Sequence, residues 1–212
     1  MPDITYRRNL PHIHPDGFLL FITFRLADSL PLKVILSLRE ERERELKSTS
    51  DSFERYNIEE RYFEHYDEYL DRCTSGPRWL ENEEVARIVA NKISNIDFFR
   101  YELLAYCIMP NHVHLLIEPS KVRTIQHKGK SANYPVTETL RLLKGSTARD
   151  CNMALKREGS FWQHESYDHF IRSEDELEQT IKYILQNPVK AGLVKEWTDW
   201  EFTYVNPELG KW

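Results

Sequence analysis

The run from Phe98 to Ile117 constrains the fold more than any other part of the chain. Phe98-Phe99-Arg100-Tyr101-Glu102-Leu103-Leu104-Ala105-Tyr106-Cys107-Ile108 is rich in aromatic and branched residues, Pro110-Asn111 is turn chemistry, and an apolar run from His112 to Ile117 follows. The pattern predicts a hairpin whose second strand is central and fixed. Side chains alternate along a strand, so His112 and His114 share one face while Val113, Leu115 and Ile117 take the other. A His-x-His is often only a solvated pair. On a fixed strand, two imidazoles at that spacing can share one metal ion.

Elsewhere the pattern alternates strand and helix. Phe18 to Leu26 is a near-continuous apolar run of strand length, ended by Ala27-Asp28-Ser29. Leu30 to about Lys47 carries Leu32, Ile35, Leu36 and Leu38 at helical spacing, and Asp51 to about Cys73 repeats the pattern with Tyr62, Phe63, Tyr66 and Leu70. These two helices read as an insertion after strand one. Gly76-Pro77 breaks the chain, and Asn82-Glu83-Glu84 opens a helix that carries Val85, Ile88, Val89 and Ile93 inward. Lys121 to Tyr134 lacks periodicity and reads as a mobile loop, Thr137 to Leu155 as a helix, and Ser160 to Ile171 as a strand. Ser173 followed by Glu174, Asp175 and Glu176 is a strong helix start. That helix is expected to stop at Gln186 or Asn187, because Pro188 disfavours helical geometry before it.

A chain of 212 residues, 41% hydrophobic and 30% charged, suits one well-filled globular domain over residues 1–212 with a helical insertion at about 32–80. No apolar run approaches the ~20 residues of a membrane span, and the polar start Pro2-Asp3-Ile4-Thr5-Tyr6-Arg7-Arg8 does not read as a signal peptide, so a cytoplasmic protein is expected. Cys73, Cys107 and Cys151 form no C-x-x-C pair and read as reduced thiols. The net charge of -5 argues against nucleic acid until its distribution is read. Residues 40–84 hold fifteen acids against seven bases, whereas 120–159 hold nine bases against three acids. Lys121, Arg123, Lys128, Lys130, Lys144 and Arg149 in that basic stretch are candidate phosphate contacts, with Trp162 a candidate platform for an unpaired base.

On the last helix, Tyr183 and Asn187 are four residues apart and share a face. Tyr167, on the strand before it, is the rival reactive tyrosine. His12-Ile13-His14 precedes the turn Pro15-Asp16-Gly17 and reads as a surface pair, and His164 and His169 fall at odd spacing, on opposite strand faces.

Three runs together carry a resemblance: Met109 to Leu116, Phe161-Trp162-Gln163-His164-Glu165-Ser166-Tyr167-Asp168-His169, and Asn187-Pro188-Val189-Lys190-Ala191-Gly192-Leu193-Val194. From about residue 15 to 205 the chain resembles the single-tyrosine HUH transposases, in particular their REP-associated branch. The element order points to an α+β fold, an antiparallel sheet of four or five strands with helices on one face, and the resemblance implies that it is ferredoxin-like. It further implies that Tyr183 is the nucleophile and that Asn187 completes a metal site begun by His112 and His114. The expected activity is site-specific cutting and rejoining of single-stranded or hairpin DNA, palindromic repeats among it, through a 5′-phosphotyrosyl link. Mg²⁺ or Mn²⁺ is the expected cofactor, and the protein is expected to be a monomer or homodimer. Two rivals share the fold: a nucleic-acid-binding protein without the reaction, and a metal-dependent phosphodiesterase that uses water.

Overall fold

The computed structural model describes residues 5–7, 11–13, 19–97, 100–119, 126–127, 130–131, 135–210 and 212. A small hairpin of β1 (Thr5–Arg7) and β2 (Pro11–Ile13) precedes β3 (Leu19–Leu26), and α1 (Leu32–Ser48), α2 (Ser52–Asp71) and α3 (Glu83–Asn95) follow. Then come β4 (Glu102–Ile108), β5 (His112–Glu118), a short pairing of β6 (Gln126–His127) with β7 (Lys130–Ser131), α4 (Pro135–Ala154), β8 (Trp162–Ile171), α5 (Glu174–Lys190) and β9 (Thr203–Val205). Among the described residues, no helix is long and apolar enough to cross a membrane.

The main sheet is antiparallel throughout, in the order β8-β3-β5-β4-β9. Without β9 and the α1–α2 insertion, the path β3-α3-β4-β5-α4-β8 is the ferredoxin-like arrangement. The predicted hairpin is β4 and β5, with Ile108 opposite Val113, and β5 is the central strand. Asn82 caps α3 by accepting from the Val85 N–H, and Ser173 caps α5 by accepting from the Glu176 N–H.

Helices cover both faces of the sheet, not one. On the first face, α3 and α4 seal Leu20, Ile22, Phe24, Val113, Leu115 and Ile117 beneath Val85, Val89, Ile93 and Leu143. On the second, α5 and Phe63 of α2 pack on Phe21, Ala105, Cys107 and Leu116. The strands explain this: β3 is buried at every position from Leu20 to Leu26, so neither of its faces can stay in water.

The end of α5 also differs from the expectation, because the helix runs through Pro188 to Lys190. Proline there removes one N–H and disfavours helical geometry at Asn187, at a local cost. Both residues are buried, and packing overrides that preference. The chain turns out of the helix at Gly192, whose φ of +71° suits glycine. The Leu193 N–H bonds the Pro188 carbonyl and the Gly192 N–H bonds the Val189 carbonyl, each at 2.9 Å.

Candidate active site

Pairing in the sheet decides what faces His112 and His114. Across β3, Arg25 is the partner of His112 and Thr23 of His114, and Tyr167 of β8 is the next residue along the Thr23 row. All these side chains lie on the second face. Both histidines are fully buried.

Each imidazole is held through its Nδ1. The His112 Nδ1 lies 2.6 Å from Asn111 Oδ1, and Asn111 is itself held by its Nδ2 donating to the Leu70 carbonyl at the end of α2. The His114 Nδ1 lies 2.9 Å from Thr23 Oγ1. A donating Nδ1–H leaves the lone pair on Nε2. The two Nε2 atoms converge to 2.8 Å.

Three further side chains meet them. Asp71 Oδ1, from the last turn of α2, lies 3.2 Å from His112 Nε2 and 3.4 Å from His114 Nε2. Asn187 of α5 brings its Nδ2 to 3.1 Å from His114 Nε2, while its buried Oδ1 has no hydrogen-bond partner among the described residues. A half-turn of that amide exchanges the two atoms and aims the oxygen at the same point. The Tyr183 ring centre is 5.2 Å from that of His114, and its hydroxyl lies 2.5 Å from Asp67 Oδ2 and 2.9 Å from Asp71 Oδ2. One chain supplies the whole set.

The charges in this pocket are unequal. Burial, and then the neighbouring His112, lowers the His114 pKa to about 4, so its imidazole is neutral. Asp71 is held far below the ordinary carboxylate range; burial opposes this, but its close contacts with His112 and His114 outweigh it. Burial and the Asp71 charge push Asp67 up, so of the two carboxyls Asp67 is the one that keeps a proton. Burial, with Asp67 and Asp71 behind it, raises Tyr183 well above the usual phenol.

Asp71, His112 and His114 could hold a metal ion, since one ligand atom from each lies within 4.8 Å of the others. Two imidazole nitrogens, a carboxylate and an amide oxygen within reach form a mixed N/O set suited to a divalent first-row ion. The unpartnered Asn187 oxygen fits such an ion too, because a buried polar atom without a partner is costly. Glu60, His169 and Glu176 also lie close together. There His169 Nε2 pairs with Glu176 Oε1 at 2.5 Å, and Glu176 accepts from the Arg172 N–H, a tie at the start of α5.

Asp67 and Asp71 are absent from the sequence-based candidates, which left the insertion without a role. A local signal existed: Phe63, Asp67, Leu70 and Asp71 share one side of α2, and carboxylates in an apolar stripe are unusual.

Other candidates fall elsewhere. The Tyr167 ring stacks on Phe63, and among the described residues it makes no contact with His112 or His114. Trp162 is a core residue: it is 7% exposed, packs on Phe24 and donates its indole N–H to Thr147 at 2.9 Å, so it cannot offer a face to a base. Lys144 donates to the His164 and Glu165 carbonyls at 2.9 and 3.4 Å, tying α4 to β8. Burial and the nearby Arg25 lower its pKa to about 8. Arg149 is exposed on α4. Lys121, Arg123, Lys128 and His14 lie outside the described residues, and for Lys130 and His12 only the strand positions, in β7 and β2, are described.

A sequence profile of the family described as "Transposase IS200 like" matches residues 78–187. That span holds His112, His114, Tyr183 and Asn187, but not Asp67 and Asp71. A REP-associated tyrosine transposase of Escherichia coli is 23% identical over 111 residues, 52% of this chain and 58% of that one. A Haemophilus influenzae protein named for the same group is 30% identical over 107 residues, 50% of this chain and 60% of its own length. The chain thus spans about three-fifths of the length of these curated relatives. The solved structure of a REP-associated tyrosine transposase bound to a REP hairpin superposes with a TM-score of 0.51 at 18% identity, covering 93% of this chain and 80% of that one. At that identity the likeness is one of fold.

Proposed function

Since the chain belongs to the IS200-like transposase family, matched over more than half its length, we propose that it cuts and rejoins single-stranded DNA with Tyr183 as nucleophile and a divalent ion, Mg²⁺ or Mn²⁺, as cofactor. The observation that carries this reading is the meeting of His112, His114, Asp71, Asn187 and the Tyr183 hydroxyl at one buried point. The likeness to a hairpin-bound transposase supports hairpin DNA as the partner.

In this reading His112, His114 and Asp71 hold the ion, with the Asn187 carbonyl oxygen as a fourth ligand. When bound, the ion supplies Lewis acidity at a non-bridging oxygen of the scissile phosphate. The chain's own residues do the rest. Asn111 and Thr23 fix the imidazoles through Nδ1, so their Nε2 lone pairs need no rearrangement. Phe21, edge-on to the Tyr183 ring and stacked on that of His114, holds both against the sheet. Tyr183 Oη bonds to phosphorus as the bond from phosphorus to the 3′ oxygen breaks. The Tyr183 proton leaves to Asp71 Oδ2, the ionised member of the carboxyl pair, and the departing oxygen takes a proton from water to become a 3′-hydroxyl. One phosphodiester replaces another, so a later 3′-hydroxyl can reverse the step.

The test is a denaturant-stable adduct with single-stranded hairpin DNA from the protein's own locus in Mn²⁺. We expect Tyr183→Phe to abolish it and Tyr167→Phe to leave it intact. Adduct formed by Tyr183→Phe and lost in Tyr167→Phe would reverse the assignment. Cleavage without adduct would favour a water-using phosphodiesterase, and hairpin binding with neither would favour a binding protein.

A further inference from the structure

β8 does not follow β3 evenly. Phe24 pairs with Ser166 and Leu26 with Trp162, so Gln163, His164 and Glu165 pass opposite the single residue Arg25. Such an irregularity bends a strand and opens room beside it. Here the room is a cleft of about 320 Å³ beneath the α1–α2 insertion, walled in part by Thr23, Arg25, Phe63, Tyr66 and Tyr167. That size is at the small end of ligand pockets. Thr23 and Arg25 are the cross-strand partners of His114 and His112, so the cleft begins one strand spacing, about 5 Å, from the histidines.

Arg25 is the unusual group in it. Its side chain is 4% exposed, and its hydrogen bonds among the described residues go to neutral oxygens: Tyr66 Oη at 2.5 Å, Ser29 Oγ at 3.1 Å and the Leu26 carbonyl at 3.2 Å. No ion pair to it occurs among the described residues. At the rim, Glu165 is turned to Arg39 at 3.5 Å, and Asp28 is exposed. A buried guanidinium without a counter-ion is costly, and its planar fork matches phosphate oxygens. Tyr66, half-buried beside it, presents a ring 5.7 Å from the guanidinium carbon.

We infer that this cleft receives one unpaired nucleotide adjoining the scissile phosphate, its own phosphate on Arg25 and its base against Tyr66. The inference rests on the DNA-cutting reading above and gives the insertion a second task, selecting the strand beside the cut. A double-stranded stem does not fit a cleft of this size, whereas one splayed nucleotide with an aromatic neighbour is a common mode of single-strand recognition.

The experiment uses the full chain in EDTA, so chemistry plays no part. Single-stranded oligonucleotides carrying 5-iododeoxyuridine in place of thymidine are bound, irradiated and mapped by mass spectrometry. The expected crosslink lies in α2 at Tyr66, and Tyr66→Leu should remove it. Arg25→Gln should weaken binding about tenfold, in line with loss of one charged hydrogen-bonded contact, and lower the slope of log K against log salt by about 0.7. Retained Mn²⁺ binding shows that each variant is folded, and the Tyr66→Leu crosslink map decides the matter if Arg25→Gln does not fold. Oligonucleotide binding with every crosslink outside α2, or with unchanged affinity in folded Arg25→Gln, overturns the cleft while leaving the DNA-cutting reading standing. No oligonucleotide binding by the unaltered protein overturns both.

Discussion

The two faces of the sheet are built from the same strands and differ in nearly everything else. Beneath α3 and α4 the buried side chains are apolar, and the polar ones are served locally: Thr147 donates to the Leu143 carbonyl and accepts from Trp162. Beneath α2 and α5 the buried set includes Thr23, Arg25, Asp67, His112, His114 and Asn187. Some of their atoms, Asp67 Oδ1 and Asn187 Oδ1, have no hydrogen-bond partner among the described residues. Buried polar groups cost stability unless paired, so a sheet carrying them needs a conventional core on its other side. One face holds the fold together, and the other gives up part of that stability to bury the candidate metal-binding groups.

The comparison breaks most sharply at the histidines. His112→Ala combined with His114→Ala should lower Mn²⁺ affinity more than about 100-fold, since two ligands go where loss of one supporting residue alone costs 10- to 100-fold. The cooperative unfolding transition should remain. Calorimetric titration with unchanged affinity would remove the metal from this face.

On the opposite face the expected effects are reversed. Leu143 is fully buried between α4 and the sheet, and Leu143→Ala should cost about 2–5 kcal/mol in urea unfolding while Mn²⁺ affinity per folded molecule stays the same. A parallel loss of metal affinity would mean that the two faces are not separable.

Acid sharpens the contrast by a smaller amount. The unfolded chain takes up a proton at His114 near pH 6.5, whereas the folded chain does so only near pH 4. Stability from this group is therefore complete above pH 6.5 and is lost as pH falls toward 4, on the order of 3 kcal/mol in all. In metal-free protein, His114→Gln should flatten the fall in urea midpoint between pH 6.5 and 4. An equal slope in both proteins would place the acid-sensitive group elsewhere.

Much of this was legible in residue order because it depends on short spacings. Asn82 and Ser173 open their helices as capping chemistry requires, the apolar runs around Pro110-Asn111 form the central hairpin, and Tyr183 and Asn187 share a face of α5. The resemblance supplied roles for those residues that no spacing could. Expectations failed where a local preference met a burial demand: Pro188 was read as a helix stop and is carried inside α5, and Trp162 was read as a base platform and is core.

Residue order by itself determined the period-two pairing of His112 with His114, the one-turn pairing of Tyr183 with Asn187, and the succession of strands and helices. Each follows from backbone geometry over a few residues. Tertiary structure alone decided that α2, an insertion some forty residues before the histidines, folds back over the second face to set Asp71 beside both imidazoles and Asp67 on the Tyr183 hydroxyl. It also decided that β8 swings out opposite Arg25. Such contacts join residues roughly 40 to 140 positions apart, and no periodicity reaches that far. What brings them together is the burial of the central strands on both faces of the sheet.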